Sequence, residues 1–168
     1  GSKTANYAMT LGYMNQEGIV GGKDVSNYER YNFRVNSDWK VKDWLKVGEQ
    51  ISFIYTQNTG IGVGNAYNNS LRSAFNTSPL SPVYSDNNKY DSPFNDTSNS
   101  DWYNADGNPY GLMMTNNNNQ TNAARFTGNV YAEIEPIKNL RYRGQFNTGY
   151  SSNTTRSASY PYSESNTN

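Results

Sequence analysis

Hydrophobic and polar residues alternate with a period of two along five stretches of this chain. That is the pattern of β-strands, whose successive side chains point to opposite faces. In the first stretch Tyr7, Met9, Leu11 and Tyr13 share a face. The second is the cleanest: Tyr31, Phe33, Val35, Ser37, Trp39 and Val41 lie opposite Arg30, Asn32, Arg34, Asn36, Asp38 and Lys40. The third groups Leu45, Val47, Ile51, Phe53 and Tyr55, with Glu49 as the one charged intruder. Phe126, Gly128, Val130, Ala132 and Ile134 form the fourth, and Leu140, Tyr142, Gly144, Phe146, Thr148 and Tyr150 the fifth. No comparable stretch carries an apolar stripe at helical spacing, so helix content is expected to be low. Gly12, Gly48, Gly128 and Gly144, inside these stretches, are expected to mark close backbone approach or local bending.

The connections are unequal. Stretches two and three meet across Lys42-Asp43-Trp44, and four and five across Pro136 to Asn139, where Pro136 and Asn139 are read as turn formers. The other two links are longer, at about residues 16–27 and about 58–123. The second far exceeds the roughly 12–15 residues beyond which loops are uncommon and usually functional. Short turns at one end and long loops at the other are how outer-membrane β-barrels are laid out. The predicted fold is therefore all-β: an antiparallel up-and-down meander of about five strands.

Alternation alone fits a soluble sandwich equally well. The residues on the two faces separate the readings. A sandwich core is dense in Val, Ile and Leu, whereas this apolar face is bounded by Tyr7, Tyr13, Tyr31, Trp39, Tyr142 and Tyr150. Tyr and Trp keep one polar atom wet while the ring sits in an apolar layer, so they gather at membrane–water boundaries. The run Arg-Asn-Arg-Asn-Asp-Lys on the other face of stretch two suits an aqueous lumen. The ten-residue advance from Tyr31 to Val41 covers roughly 33 Å at ~3.3 Å per residue. Tilted about 45°, it spans about 23 Å, close to the ~25 Å apolar band of such barrels. The first stretch falls short on the same arithmetic.

Composition narrows the function. Fourteen Lys and Arg balance fourteen Asp and Glu, leaving no basic surplus for a nucleic-acid backbone. His and Cys are absent, which excludes imidazole and thiolate chemistry and disulfides. No apolar run approaches the roughly 18–20 residues of a membrane helix. Hydrophobic residues are only 34%, yet aromatics reach 14% and net charge is zero, which argues against disorder. Asn fills 27 positions beside 15 Tyr, as expected for strands joined by polar loops. Gly1-Ser2 reads as a cloning scar, with the natural sequence expected to begin upstream.

Several segments resemble the SusC family of TonB-dependent outer-membrane transporters of Bacteroidetes. They are Asn6 to Val20, Tyr28 to Asn36, Val41 to Gly48, Ser78 to Tyr84, Asn108-Pro109 and Phe126 to Leu140, in the same order. The resemblance implies that residues 3–168 are a mid-barrel fragment, about five strands of a 22-stranded transmembrane barrel with long extracellular loops. It implies a parent in the outer membrane that is opened by TonB and capped by a SusD-like lipoprotein, importing glycans or, in some members, peptides. No enzyme activity and no cofactor are expected, since the residues offer little support for catalysis. A fragment of this kind leaves strand edges and an apolar face uncovered, so self-association is expected.

Candidate chemistry concentrates in the long loop. Aromatic rings stack on the C–H faces of sugars while neighbouring carboxamides and carboxylates reach the hydroxyls. Tyr84, Tyr90, Asp101, Trp102, Tyr103, Asn104 and Tyr110 are the candidate ligand contacts on that ground. The alternative is that these rings only pack the loop. The Asp86–Asp91 and Asp101–Asn108 clusters offer oxygen ligands, but their spacing does not match a calcium loop and also builds turns. No metal site is assigned. Glu133 and Glu135 lie about 7 Å apart by alternation, a glycosidase-like spacing. Their place beside the short turn reads instead as a solvated acidic rim. The competing reading of the whole is a soluble carbohydrate-binding β-sandwich module; a structural surface repeat is weaker, because no fixed sequence period is present.

Overall fold

The alternating stretches become strands because each offers one continuous apolar edge and one polar edge to a pleated ribbon. In the computed structural model, which describes residues 1–61, 69–77, 79, 83, 109–115 and 119–158, they are β1 (Ala5–Glu17), β2 (Asn27–Lys42), β3 (Leu45–Thr59), β4 (Gln120–Ile137) and β5 (Leu140–Arg156). The sheet order is β1-β2-β3-β4-β5, so every strand pairs with its sequence neighbours in an antiparallel meander. Two short helices were not expected: α1 (Ser70–Asn76) and α2 (Pro109–Thr115), both inside the long connection. At seven residues each, they are too short to show a periodic apolar stripe. No helix among the described residues is long and apolar enough to cross a membrane.

The β2–β3 turn is Asp43–Trp44, and the β4–β5 turn is Lys138–Asn139. Asn139 holds a left-handed φ of 71°, which its short polar side chain tolerates. Pro136 does not sit in this turn as the sequence pattern predicts; it lies within β4, one residue from the strand's end.

The chain divides into two compact units. The first comprises Gly1–Gln16, Tyr28–Gln57 and Asn122–Thr154, and the second Glu17–Asn27, Asn58–Thr121 and Thr155–Asn168. The first is the body of the sheet. Gly12 lies against Asn32, Ser37 bonds Glu49, Gly48 lies under Tyr131, and Asn129 bonds Asn147. These contacts fix the register and put every predicted apolar face on the same side.

That side is uncovered. Met9, Leu11, Val130, Tyr142 and Phe146 are all exposed, Leu11 by 71% and Phe146 by 67%. Phe33 and Val35 are half-buried. The described residues form a single sheet, so no second layer meets this face as a sandwich would require. In water, each such side chain left out forgoes roughly 1.5–3 kcal/mol of burial, so the surface fits hydrocarbon and not solvent.

In the second unit, Gly21 and Gly22 hold φ of 83° and 68° and turn the chain so that Gly22 O accepts from Val25 N and Ser26 N. Val25 is thereby buried to 2% exposure. A Cβ on Gly21 would fall 2.6 Å from Val25 Cβ, so both the conformation and the space require glycine. Asn69 caps α1, its Oδ1 accepting from Leu71 N at 3.0 Å and Arg72 N at 3.3 Å. Helices α1 and α2 touch each other.

Candidate functional site

The two faces of the sheet carry different chemistry. On the apolar face, Tyr13, Tyr31 and Tyr55 line up across β1, β2 and β3, with ring centroids 4.9 and 6.4 Å apart. The hydroxyls of Tyr13 and Tyr31 are tied to groups beyond the row. Tyr31 Oη donates to Glu29 Oε2 at 3.1 Å, while Asn15 Nδ2 donates to Tyr13 Oη and to Glu29 Oε1. Rings in a layer with hydroxyls held by a carboxylate and an amide match the pattern of an aromatic girdle, where an apolar layer meets water. Trp39 holds the other end of β2's apolar face.

Glu49, the intruder in the pattern, sits on this apolar side and is only half-buried. Ser37 Oγ donates to its Oε1 at 3.1 Å, and Trp39 Nε1 donates to Ser37 Oγ at 2.8 Å. Beside this chain lies an open groove of about 610 Å³ walled by Trp39, Val41, Val47 and Val130 and floored by Ala132 and Gly144. Gly144 is open above its Cα, with only Tyr142 Cε1 at 3.9 Å from a built Cβ, so the close approach expected there is absent.

The polar face is organised around Tyr131, which is only 8% exposed. Its ring lies over Gly48, where a Cβ would fall 2.6 Å from Tyr131 Cζ. Its hydroxyl donates to Asp38 Oδ1. The Arg143 guanidinium stacks 3.9 Å from the ring centroid, and Lys46 Nζ sits 5.9 Å from it and 3.7 Å from Asp38 Oδ2. Four strands thus contribute to one cluster: Asp38 from β2, Gly48 and Lys46 from β3, Tyr131 from β4 and Arg143 from β5. The ring bridges strands by filling the space a glycine leaves, and the cations gain from its π face. The sequence pattern placed each of these residues on the polar side, and Gly48 was expected to allow close approach. Their convergence needed the register.

Towards the short turns, Glu135 accepts from Asn139 N at 3.0 Å and from Arg141 Nε at 2.9 Å. The carboxylate therefore closes the turn, and it is not poised with Glu133 to attack a sugar. In the other turn, Asp43 Oδ1 lies 2.7 Å from Lys40 Nζ. The hydrogen bond and the charge of Lys40 hold the Asp43 carboxyl below its ordinary range.

Among the loop candidates, Tyr110 falls in α2, where it is half-buried. Tyr84, Tyr90, Asp101, Trp102, Tyr103 and Asn104 lie outside the described residues, as do both Asp-rich clusters. Among the described residues, no group of three or more Asp or Glu is placed to hold a metal ion.

No family model matches the chain. A curated relative, TonB-dependent receptor P26 of Formosa agariphila, is 32% identical over 151 residues, covering 89% of this chain. The chain spans only 14% of that relative's length. Two solved structures of the RagAB peptide importer, in its closed-closed and open-open states, are each 21% identical. They superpose with TM-scores of 0.64 and 0.65, over 96% and 98% of this chain and 17% and 18% of theirs. Sequence likeness along most of the chain and backbone likeness along nearly all of it agree with the two-faced sheet: the chain belongs to the TonB-dependent receptors, as a five-strand stretch of β-barrel.

Proposed function

We propose that this segment forms part of the wall of an outer-membrane nutrient importer, with its apolar face against lipid and its polar face lining the bore. One observation carries the reading: five strands in a single sheet present Met9, Leu11, Val130 and Phe146 on one exposed side and a charged, hydrogen-bonded network on the other. In a soluble sandwich the apolar side would be covered. The parent barrel, as the SusC resemblance implies, has 22 strands, and import is driven through TonB with a SusD-like lipoprotein closing the outer mouth.

The cargo class we assign is an oligosaccharide, on the aromatic and carboxamide content of the long loop. Peptide import is the second reading, favoured by the likeness to a peptide importer. Orientation is tested in the full-length receptor in native outer membranes. Cysteines at Leu11, Val130 or Phe146 should resist a membrane-impermeant maleimide, and cysteines at Thr10, Asn129 or Asn147 should react. Labelling of the first set in preference to the second would end the proposal. Uptake of labelled oligosaccharides against labelled peptides of equal length decides between the two cargoes.

A further inference from the structure

Although the chain as a whole is neutral, its polar wall is not. On the alternating polar positions of the strands stand eight cations and only three carboxylates: Asp38, Glu133 and Glu135. The balancing acids lie elsewhere: Glu29 and Glu49 on the apolar side, Asp43 in a turn, and five aspartates between residues 86 and 106.

The three wall carboxylates all sit in the half nearer the short turns, where Lys46 pairs with Asp38 and Arg141 with Glu135. Further along the wall stand Arg30, Arg34 and Arg125. With Ser37 against Glu49 and Gly48 under Tyr131, the register sets Arg34 opposite Ser52 and Arg125 opposite Ile54, one rung apart across β3. Arg34 and Arg125 are exposed, and Arg30 is half-buried with its Nε lacking a partner. None of the three makes an ion pair among the described residues. Their neighbours on the wall, Asn32, Asn36, Ser52 and Thr127, are short and uncharged, and Arg34 and Arg125 stay exposed among them.

We propose that these arginines form an anion track, and that the cargo of this wall is an oligomer bearing carboxylate or sulfate groups. The inference rests on reading the polar face as the wall of the bore. Guanidinium matches the planar, two-oxygen edge of such groups with paired N–H donors. A narrow aqueous passage with low-dielectric walls focuses the field of unpaired charges and concentrates ions of opposite sign. Pairing with nearby carboxylates would cancel that field, and the half of the wall holding these arginines lacks them among the described residues.

The test uses cells expressing the full-length receptor that carries this segment, with three labelled probes of matched length: an oligogalacturonate, a glutamate-rich peptide and a neutral oligosaccharide. With Arg34→Gln and Arg125→Gln together, uptake of an acidic probe should fall about tenfold at low salt, and its salt dependence should flatten. Neutral uptake should be unchanged. Arg34→Lys with Arg125→Lys, which keeps both charges, should restore most of the acidic uptake, which separates charge from folding. Which acidic probe responds identifies the source of the anion. Acidic uptake indifferent to the Gln pair, or a wild-type receptor that prefers the neutral probe, overturns the inference. Ser52→Cys, on the same wall, keeps the two failures apart. If it reacts with a membrane-impermeant maleimide, the wall reading stands whatever the cargo; if it does not, the wall reading falls too.

Discussion

Gly48→Ala should destabilise the barrel through Tyr131. A methyl at Gly48 would sit 2.6 Å from Tyr131 Cζ, where ordinary carbon contacts lie at about 3.5–4.0 Å, so the ring has to shift by about 1 Å. That shift breaks the bond from the Tyr131 hydroxyl to Asp38 and disturbs the Arg143 stack. A hydrogen bond to a charged group contributes roughly 1.5–3 kcal/mol. The cation–π contact adds about 0.5–1 kcal/mol at a site open to water. Against this, Ala is favoured over Gly in a strand by roughly 0.5–1 kcal/mol. The net expectation is a loss of about 1–3 kcal/mol. It is measured by urea unfolding of the full receptor in detergent, read from the gel shift between folded and unfolded forms. Tyr131→Ala removes the ring, and in that background Gly48→Ala should become neutral or slightly stabilising, a coupling of about 1–3 kcal/mol. Strictly additive effects in the double variant would refute the nested-ring account.

Glu49→Leu should stabilise the receptor in a bilayer by about 1 kcal/mol, because a carboxylate on an apolar face is unfavourable there and, among the described residues, one hydroxyl bonds it; unfolding in lipid vesicles checks this, and a loss would mean that a further polar group binds Glu49. Asp43 has its carboxyl held low by Lys40, so its contribution is present above the ordinary carboxylate range and is lost as pH falls through its own lowered value. Asp43→Asn should therefore lower stability slightly at neutral pH and leave it unchanged in strong acid, as read from unfolding midpoints at the two conditions. Asn69→Ala removes the cap of α1 and should cost about 1 kcal/mol locally; faster proteolysis within residues 69–77 is the expected result. Purified alone without detergent, the chain should run as oligomers by light scattering, because among the described residues its apolar face is exposed and the outer edges of β1 and β5 pair with no further strand.

The strands, their order and the division into apolar and polar faces were legible in the sequence, because side-chain direction in a strand is set by parity alone. Leu11, Phe33, Phe53, Val130 and Phe146 could be assigned to one side before any pairing was known. The asymmetry of short turns and long links was equally plain, and the girdle could be anticipated from where Tyr and Trp stop the apolar runs. Parity says nothing of what lies across a rung. That Tyr131 nests on Gly48, that Arg143 stacks on it, and that Asp38 receives its hydroxyl all follow from register, which depends on turn geometry. Glu133 and Glu135 could be read from the sequence as an acidic rim beside the short turn, but that Glu135 accepts from Asn139 and Arg141 depends on how the turn folds. The helices α1 and α2 escaped because seven residues are too few for periodicity to emerge. Segregation of charge along the wall was hidden for the same reason: a sum over the chain gives zero, and only strands laid side by side gather Arg30, Arg34 and Arg125 onto one surface.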